Sequence, residues 1–538
     1  MKLLSACVLC ITGEYLRSSA STTVFRINRF SMENARRPGA PEATREIRGK
    51  FVKTKIVFRS ACRFLFLLFT SSCLLVFLLT NAAYADYAED LKDKTSGTIN
   101  VQEEPSLPYV IKPVSRITFQ DSYYSDHADR PYCFENSEGR CLDKQNNFFT
   151  TLEGDAQFGN RFFVYYKTEL NEDNRVSLKK AYGLLRMGIW SLEVGKDTIW
   201  VGPGYHGSLL LSNNAEGFNL VRLRTEEPFR LPWIFSHIGE FKYDIFRGWT
   251  DNPGILGHRL SWRPVPLLEI GANQVVYIPR GKNYDVWQYP HIFFSSADNV
   301  GSEGQSYNND QKSSLDVALD MPFLSKVSPF VNGRIYAEYG GNDTYALWQK
   351  EDAARMRHEP LWKKLRWPFQ FDFLNIGWLT GLFLTTGDVD FRFEYAQNYA
   401  SYPIFYDWYA EFGPQYRRHG PWYSNLNTLH GMIMGHEMGN DADDYYLEMN
   451  VRHAPGSLKI YYDQERHGLS SNVTYPPERR NEYGLRPAYQ YENFLFFADL
   501  IYNHYKNVNF STNPVQYDIH AGTELDEFIA GLGVEITF

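Results

Sequence analysis

The chain has 538 residues, a formal net charge of −8 and 16% aromatic residues, with 37 Tyr and 38 Phe. An acidic balance without an extended Lys/Arg cluster outside the N-terminal region argues against a nucleic-acid partner. Mean hydropathy is negative, which excludes a polytopic helical membrane protein but not a β-barrel, whose strands hide one apolar face behind polar lumen residues.

In chain order, the first informative segment is the apolar run 64–79, preceded by Lys53, Lys55, Arg59 and Arg63 and followed by Ala83-Tyr84-Ala85. A basic flank, an apolar stretch and a small-residue site make a secretory signal peptide over 52–85, cut before Asp86. A single membrane anchor is the alternative, but the run is short for one. Residues 1–51 then lie ahead of the signal, as a mis-assigned or disordered extension, with translation starting near Val52. Residues 86–113, acidic and then punctuated by Pro105, Pro108 and Pro113, read as a periplasmic lead-in to a barrel over 114–538.

Four of the six cysteines (Cys7, Cys10, Cys62 and Cys73) fall before the expected cut. Cys133 and Cys141 remain and are expected to close a local disulfide in an oxidising periplasm. A zinc site there would need two further ligands, and the neighbouring sequence offers none.

Strand patterns follow. Phe162, Val164 and Tyr166 alternate with Arg161, Phe163, Tyr165 and Lys167. After a strand ending near Trp200, Gly202-Pro203-Gly204 demands a tight ordered loop. Tyr205, His206, Ser208, Ser212, Asn213 and Asn214 then crowd polar groups into a short stretch. This stretch has two readings. It is a sugar site, where Trp200, Tyr205 and His206 offer a platform and Asn213 and Asn214 offer hydrogen bonds. Or it is a loop folded into the lumen, its polar groups satisfied by wall charges such as Arg222 and Arg224.

Residues 345–366 are helical by propensity, with Pro360 as the breaker. They suit a lumen or mouth-capping helix, or an amphipathic loop at the membrane surface. The segment 395–430 is dense in aromatics, including Trp408, Tyr409 and Trp422, with Arg417, Arg418 and His419 between them. Rings stack on sugar faces and Arg pairs with anionic sugars, so this is the stronger surface candidate for polysaccharide contact. A membrane girdle is the competing account of the rings.

His436-Glu437 lacks the second His a zinc protease requires at i+4, where Asn440 stands. Asn440, Asp441, Asp443 and Asp444 read either as an oxygen-rich Ca²⁺ turn or as a solvated or lumen-facing strand start. Tyr445 to Arg452 alternate, His453-Ala454-Pro455-Gly456-Ser457 turns the chain, and Leu458, Ile460 and Tyr462 resume, which makes a hairpin. Phe494 to Tyr502 form another strand. Leu532, Val534, Ile536 and Phe538 alternate with Gly533, Glu535 and Thr537, as in the closing strand of an outer-membrane barrel. At about 9–11 residues per membrane strand, the chain has room for roughly 14 to 20 strands.

The stretch Trp200-Val-Gly-Pro-Gly-Tyr-His-Gly-Ser-Leu209, then Ser212-Asn-Asn-Ala215 and the Arg222-x-Arg224 strand, resembles the Wzi family of capsule-assembly outer-membrane proteins. Phe393-Glu394-Tyr395-Ala396 and Gly435-His436-Glu437-Met438-Gly439-Asn440-Asp441-Ala442-Asp443 are similar to family segments with less specificity. The resemblance implies an all-β membrane protein: a large, monomeric antiparallel transmembrane β-barrel of about eighteen strands with helical and loop plug elements. It also implies a lectin-like, non-enzymatic anchor for capsular polysaccharide in the outer membrane of a Gram-negative cell. The partners expected on this reading are capsular or other surface polysaccharide, outer-membrane lipids and the barrel-assembly machinery. No cofactor or metal is expected. A channel for polysaccharide or solutes and an outer-membrane lipid or glycan hydrolase remain as alternatives.

Overall fold

A computed structural model describes residues 109–125, 131–250, 254–278, 310–344, 373–398, 427–469, 477–508 and 523–538. The strands in chain order are β1 (Tyr109–Tyr124), β2 (Tyr132–Cys133), β3 (Cys141–Leu142), β4 (Asn146–Phe158), β5 (Phe162–Asn171), β6 (Val176–Met187), β7 (Trp190–Asp197) and β8 (Phe218–Thr225). They continue as β9 (Glu240–Trp249), β10 (Gly254–Val265), β11 (Leu268–Ile278), β12 (Asp310–Asp320), β13 (Asn332–Thr344), β14 (Phe373–Thr385) and β15 (Val389–Gln397). The last are β16 (Thr428–Leu429), β17 (Met432–Ile433), β18 (Ala442–His453), β19 (Gly456–His467), β20 (Glu478–Tyr491), β21 (Phe494–Val508) and β22 (Thr523–Thr537).

All but the two short hairpins β2–β3 and β16–β17 join one 18-stranded sheet. It closes where β1 pairs with β22, Phe119 opposite Val534, and with β4 on its other side. Closure leaves no strand edge unpaired, which a lipid environment demands. The expected hairpin forms, with Val451 opposite Leu458 across β18–β19. β1 starts at Tyr109, inside the segment expected to be lead-in. Pro113 sits within the register shift between Lys112 and Arg116, an irregularity that lets a strand carry a residue without an N–H.

Side-chain alternation is inside out relative to a soluble protein. Leu447 is 48% exposed while its neighbour Glu448 is 5% exposed. Val317, Ile335, Phe391, Ile460, Phe496 and Phe528 likewise face outward, whereas Glu338, Asp463, Glu482 and Asn503 face a filled interior. Exposed Tyr489, Tyr491, Phe494 and Phe158 lie toward one end of the wall, and Tyr123, Phe148 and Trp249 toward the other, as interfacial girdles do. No helix among the described residues is long and apolar enough to cross a membrane; the crossing is by strands.

The two ends of the wall differ. Strands meet at one end through short turns, such as 159–161, 188–189, 386–388, 454–455 and 492–493. At the other end the connections are long, including 125–145, 198–217, 279–309, 345–372 and 398–441. Short turns belong to the periplasmic side of outer-membrane barrels and long loops to the cell exterior. The helix expected over 345–366 lies outside the described residues.

Candidate functional site: the plug and its wall

The β7–β8 connection, 198–217, folds inward. Val201 and Leu211 form an isolated bridge, with the Val201 N–H donating to the Leu211 carbonyl at 2.9 Å. Leu209, Leu210 and Leu211 are almost wholly buried and pack with Phe246, Ile255, Tyr277 and Leu379 of the wall. An apolar cluster thus sits inside a barrel whose lining is otherwise polar.

The tight loop leaves backbone N–H groups without partners of its own, and the wall supplies acceptors. Glu394 of β15 accepts from the N–H groups of Tyr205 at 2.8 Å, His206 at 3.1 Å and Gly207 at 3.0 Å. The Tyr336 hydroxyl donates to the same carboxylate at 2.5 Å. Tyr277 Oη donates to the Leu210 carbonyl at 3.1 Å. Arg222 and Arg224, named from sequence as the wall partners, instead bond Asp244 at 3.0 Å and Glu226 at 3.2 Å. The reason is chemical: the loop presents donors, and a guanidinium has no acceptor to give them. Gly207 lies against the His436 ring, which occupies the space a Cβ would need.

Two further segments complete the plug. The hairpin β2–β3 is closed by the expected Cys133–Cys141 disulfide. It hands the Glu138 and Gly139 N–H groups to the carbonyls of Asn213 at 2.8 Å and Asn214 at 3.0 Å. Its Glu138 is gripped by Lys167 at 2.9 Å and Lys180 at 3.3 Å on the wall. Burial alone would raise the Glu138 carboxyl; the two ammonium groups overcome it and hold the carboxyl down at about 2. The segment carrying β16–β17 receives the Ser212 hydroxyl on the Gly435 carbonyl at 2.6 Å and the Asn214 amide on the Ile433 carbonyl at 3.0 Å.

The residues singled out from sequence separate into two groups. Trp200, Tyr205, His206, Asn213 and Asn214 all lie in the plug. His206 and Asn214 are each 6% exposed, and Trp200, Tyr205 and Asn213 are half-buried. His206 stacks on Tyr446 at 3.8 Å between ring centroids. The Tyr205 ring carries the Arg392 guanidinium at 3.8 Å. These contacts commit the group to the interior, the second of the two readings of the motif. Trp408, Tyr409, Arg417, Arg418 and Trp422 lie outside the described residues. Their flanking strands, β15 and β18, have their facing ends on the long-loop side.

Glu338 and Glu394 were not singled out as site residues. The available signal was an acid at an inward position of an aromatic-rich strand, Tyr336-Ala-Glu338 and Phe393-Glu394-Tyr395.

The family model for capsule assembly protein Wzi matches residues 118–356. Over that stretch the chain is Wzi-like. The Wzi-like chain is 24% identical over 200 residues to an uncharacterized 55.8 kDa protein in the cps region of Klebsiella pneumoniae, covering 35% of this chain and 38% of that one. The match therefore spans well under half of that relative. Its fold is that of a solved structure from Escherichia coli described as Wzi, an outer-membrane protein involved in group 1 capsule assembly and a carbohydrate-binding β-barrel. That likeness has a TM-score of 0.52 at 15% identity, covering 79% of this chain and 85% of the other. Pseudomonas aeruginosa OpdQ aligns with a TM-score of 0.43 at 10% identity, over 79% of this chain and 97% of that one.

Proposed function

We propose that this Wzi-like barrel is a non-enzymatic outer-membrane lectin that holds capsular or related surface polysaccharide on the cell exterior. The observation that carries this reading is the plug. Three chain segments fill the lumen and are bonded to the wall by buried carboxylates and apolar packing. A lumen so filled suits an anchor better than a conduit. The family match supports the choice of ligand class. The segment 399–426, with Trp408, Tyr409, Arg417, Arg418 and Trp422, carries by composition the chemistry for stacking on sugars and pairing with their acidic groups. A polymer engages many copies at once, so weak individual contacts suffice for retention.

The test is deletion of the gene followed by measurement of polysaccharide in the cell-bound and medium fractions. Transfer of polymer to the medium at constant total supports the anchor. A fall in total surface polymer without release moves the reading to export, and no change in either fraction removes the polysaccharide reading. Restoring the gene with Trp408→Ala and Trp422→Ala separates binding from catalysis: a lectin loses retention gradually, whereas an enzyme loses turnover with one Ser, His or carboxylate.

A further inference from the structure

Where the three plug segments meet β18 and β19, carboxylates gather around one imidazole. His206 Nε2 lies 3.4 Å from Glu135 Oε2, 3.3 Å from Glu437 Oε1, 3.5 Å from Asp444 Oδ2 and 4.0 Å from Asp463 Oδ1. Within each of the triads Glu135–His206–Asp463 and His206–Glu437–Asp444, the potential ligand atoms lie within 4.8 Å of one another. His206 Nε2 and both Glu437 carboxylate oxygens have no hydrogen-bond partner, while Asp463 lies against Asp444 and 3.8 Å from Arg480. His206, Glu437 and Asp463 are more than nine-tenths buried, at 6%, 5% and 0% exposure.

Charge balance makes this arrangement costly as it stands. Glu465 and Glu482 add two more carboxylates, and Arg480 divides its single charge among Glu135, Asp463, Glu465 and Glu482. His467 pairs with Glu465 at 2.8 Å. Carboxyls so placed take up either protons or a cation.

We infer that the convergence of Glu135, His206, Glu437, Asp444 and Asp463 is a binding site for a divalent transition-metal ion, of which Zn²⁺ is the representative. The separations around His206 suit a shared metal ion. Zinc–ligand bonds of about 2.0–2.1 Å place neighbouring tetrahedral ligands about 3.3–3.4 Å apart, longer than a good hydrogen bond and matching the shortest separations around His206. An imidazole nitrogen among carboxylates suits a first-row transition ion more than Ca²⁺, which takes six to eight oxygens. The site's architecture gives the ion a task. Glu135 belongs to the disulfide hairpin, His206 to the β7–β8 loop, Glu437 to the β16–β17 segment, and Asp444 and Asp463 to the wall. One ion would tie all three plug segments to the barrel.

The experiment uses the full mature barrel in detergent. Metal content is measured as isolated, after EDTA and after Zn²⁺ titration by calorimetry, with Ca²⁺ and Mg²⁺ in parallel. The expected result is about one Zn²⁺ per chain. EDTA lowers the unfolding temperature and exposes the plug to protease, and Zn²⁺ but not Ca²⁺ reverses both. Glu437→Gln and Asp463→Asn weaken Zn²⁺ binding at least about tenfold, while heat-modifiable migration on gels shows the barrel still folded. Three outcomes overturn the inference: a wild-type protein with no bound metal and no heat on Zn²⁺ addition, variants that bind Zn²⁺ like wild type, and Ca²⁺ binding in place of Zn²⁺. Because the wild-type measurement stands alone, a variant that fails to fold does not rescue the idea.

Discussion

Replacing Glu394 with Ala should loosen the plug while leaving the barrel closed. The carboxylate accepts three backbone N–H groups of the β7–β8 loop at 2.8, 3.1 and 3.0 Å and the Tyr336 hydroxyl at 2.5 Å. Each buried donor left without an acceptor costs about 1–3 kcal/mol, so three orphaned N–H groups bracket the loss between about 3 and 9 kcal/mol. Water entering the space left by the side chain brings the figure to the low end. About 3 kcal/mol is roughly a hundredfold increase in local opening. Glu394→Gln is the graded control. Its amide oxygen keeps one side of the bonding, the pair His206 and Gly207, and its NH₂ meets the Tyr205 N–H donor to donor. A single orphan of about 1–3 kcal/mol predicts an opening increase of roughly tenfold. Amide hydrogen exchange of residues 205–207 in detergent reads the effect directly, with heat-modifiable migration confirming a folded wall. Exchange in Glu394→Ala at the wild-type rate would refute the claim that this carboxylate holds the loop.

Three other outcomes are expected. Cys133→Ser should cost the β2–β3 hairpin about 2–3 kcal/mol through loop-closure entropy and increase its cleavage by protease, with the wall unaffected. Gly381 lies beneath the Tyr336 ring with no room for a Cβ. Gly381→Val should therefore displace the hydroxyl that bonds Glu394 and raise exchange at 205–207, although the substitution sits on β14, outside the loop. The third outcome is a pH dependence. Glu138 has a carboxyl lowered from its ordinary 4.5 to about 2. Its contribution of roughly 3 kcal/mol is fully present above pH 4.5 and is lost as pH falls from 4.5 through 2. Glu138→Gln should abolish that part of the acid sensitivity of hairpin protection, measured by exchange at low pH.

The wall was legible because its information is local. Alternation over 445–452, 458–462, 494–502 and 531–537 places side chains on two faces regardless of what the rest of the chain does, and each of these lies in a barrel strand. The disulfide was legible for the same reason, eight residues separating its cysteines. The lumen reading of the Trp200–Asn214 stretch followed from its density of polar groups and glycine. The loop's partners were not legible. Glu394 lies 188 residues from His206 in sequence, and only the closing of the sheet brings them together. Choosing Arg222 and Arg224 as partners followed from proximity along the chain; it overlooked that a tight loop exposes N–H donors and needs acceptors. His436-Glu437 was judged against a helical spacing, whereas its neighbours His206 and Asp444 arrive from a different loop and a wall strand.

The plug loop precedes in sequence every strand from β8 onward, yet its acceptors sit on β13 and β15. Its backbone cannot be satisfied until more than half of the circumference has been laid down in the right order. A wall that closed a strand short or in a shifted register would turn Glu338 and Glu394 away from the loop and leave its donors stranded in a cavity. The interior thus inspects the circumference: only a correctly counted barrel can swallow its own loop. A graft that moved residues 198–217 into a related barrel would have to bring the two acidic strands along with it.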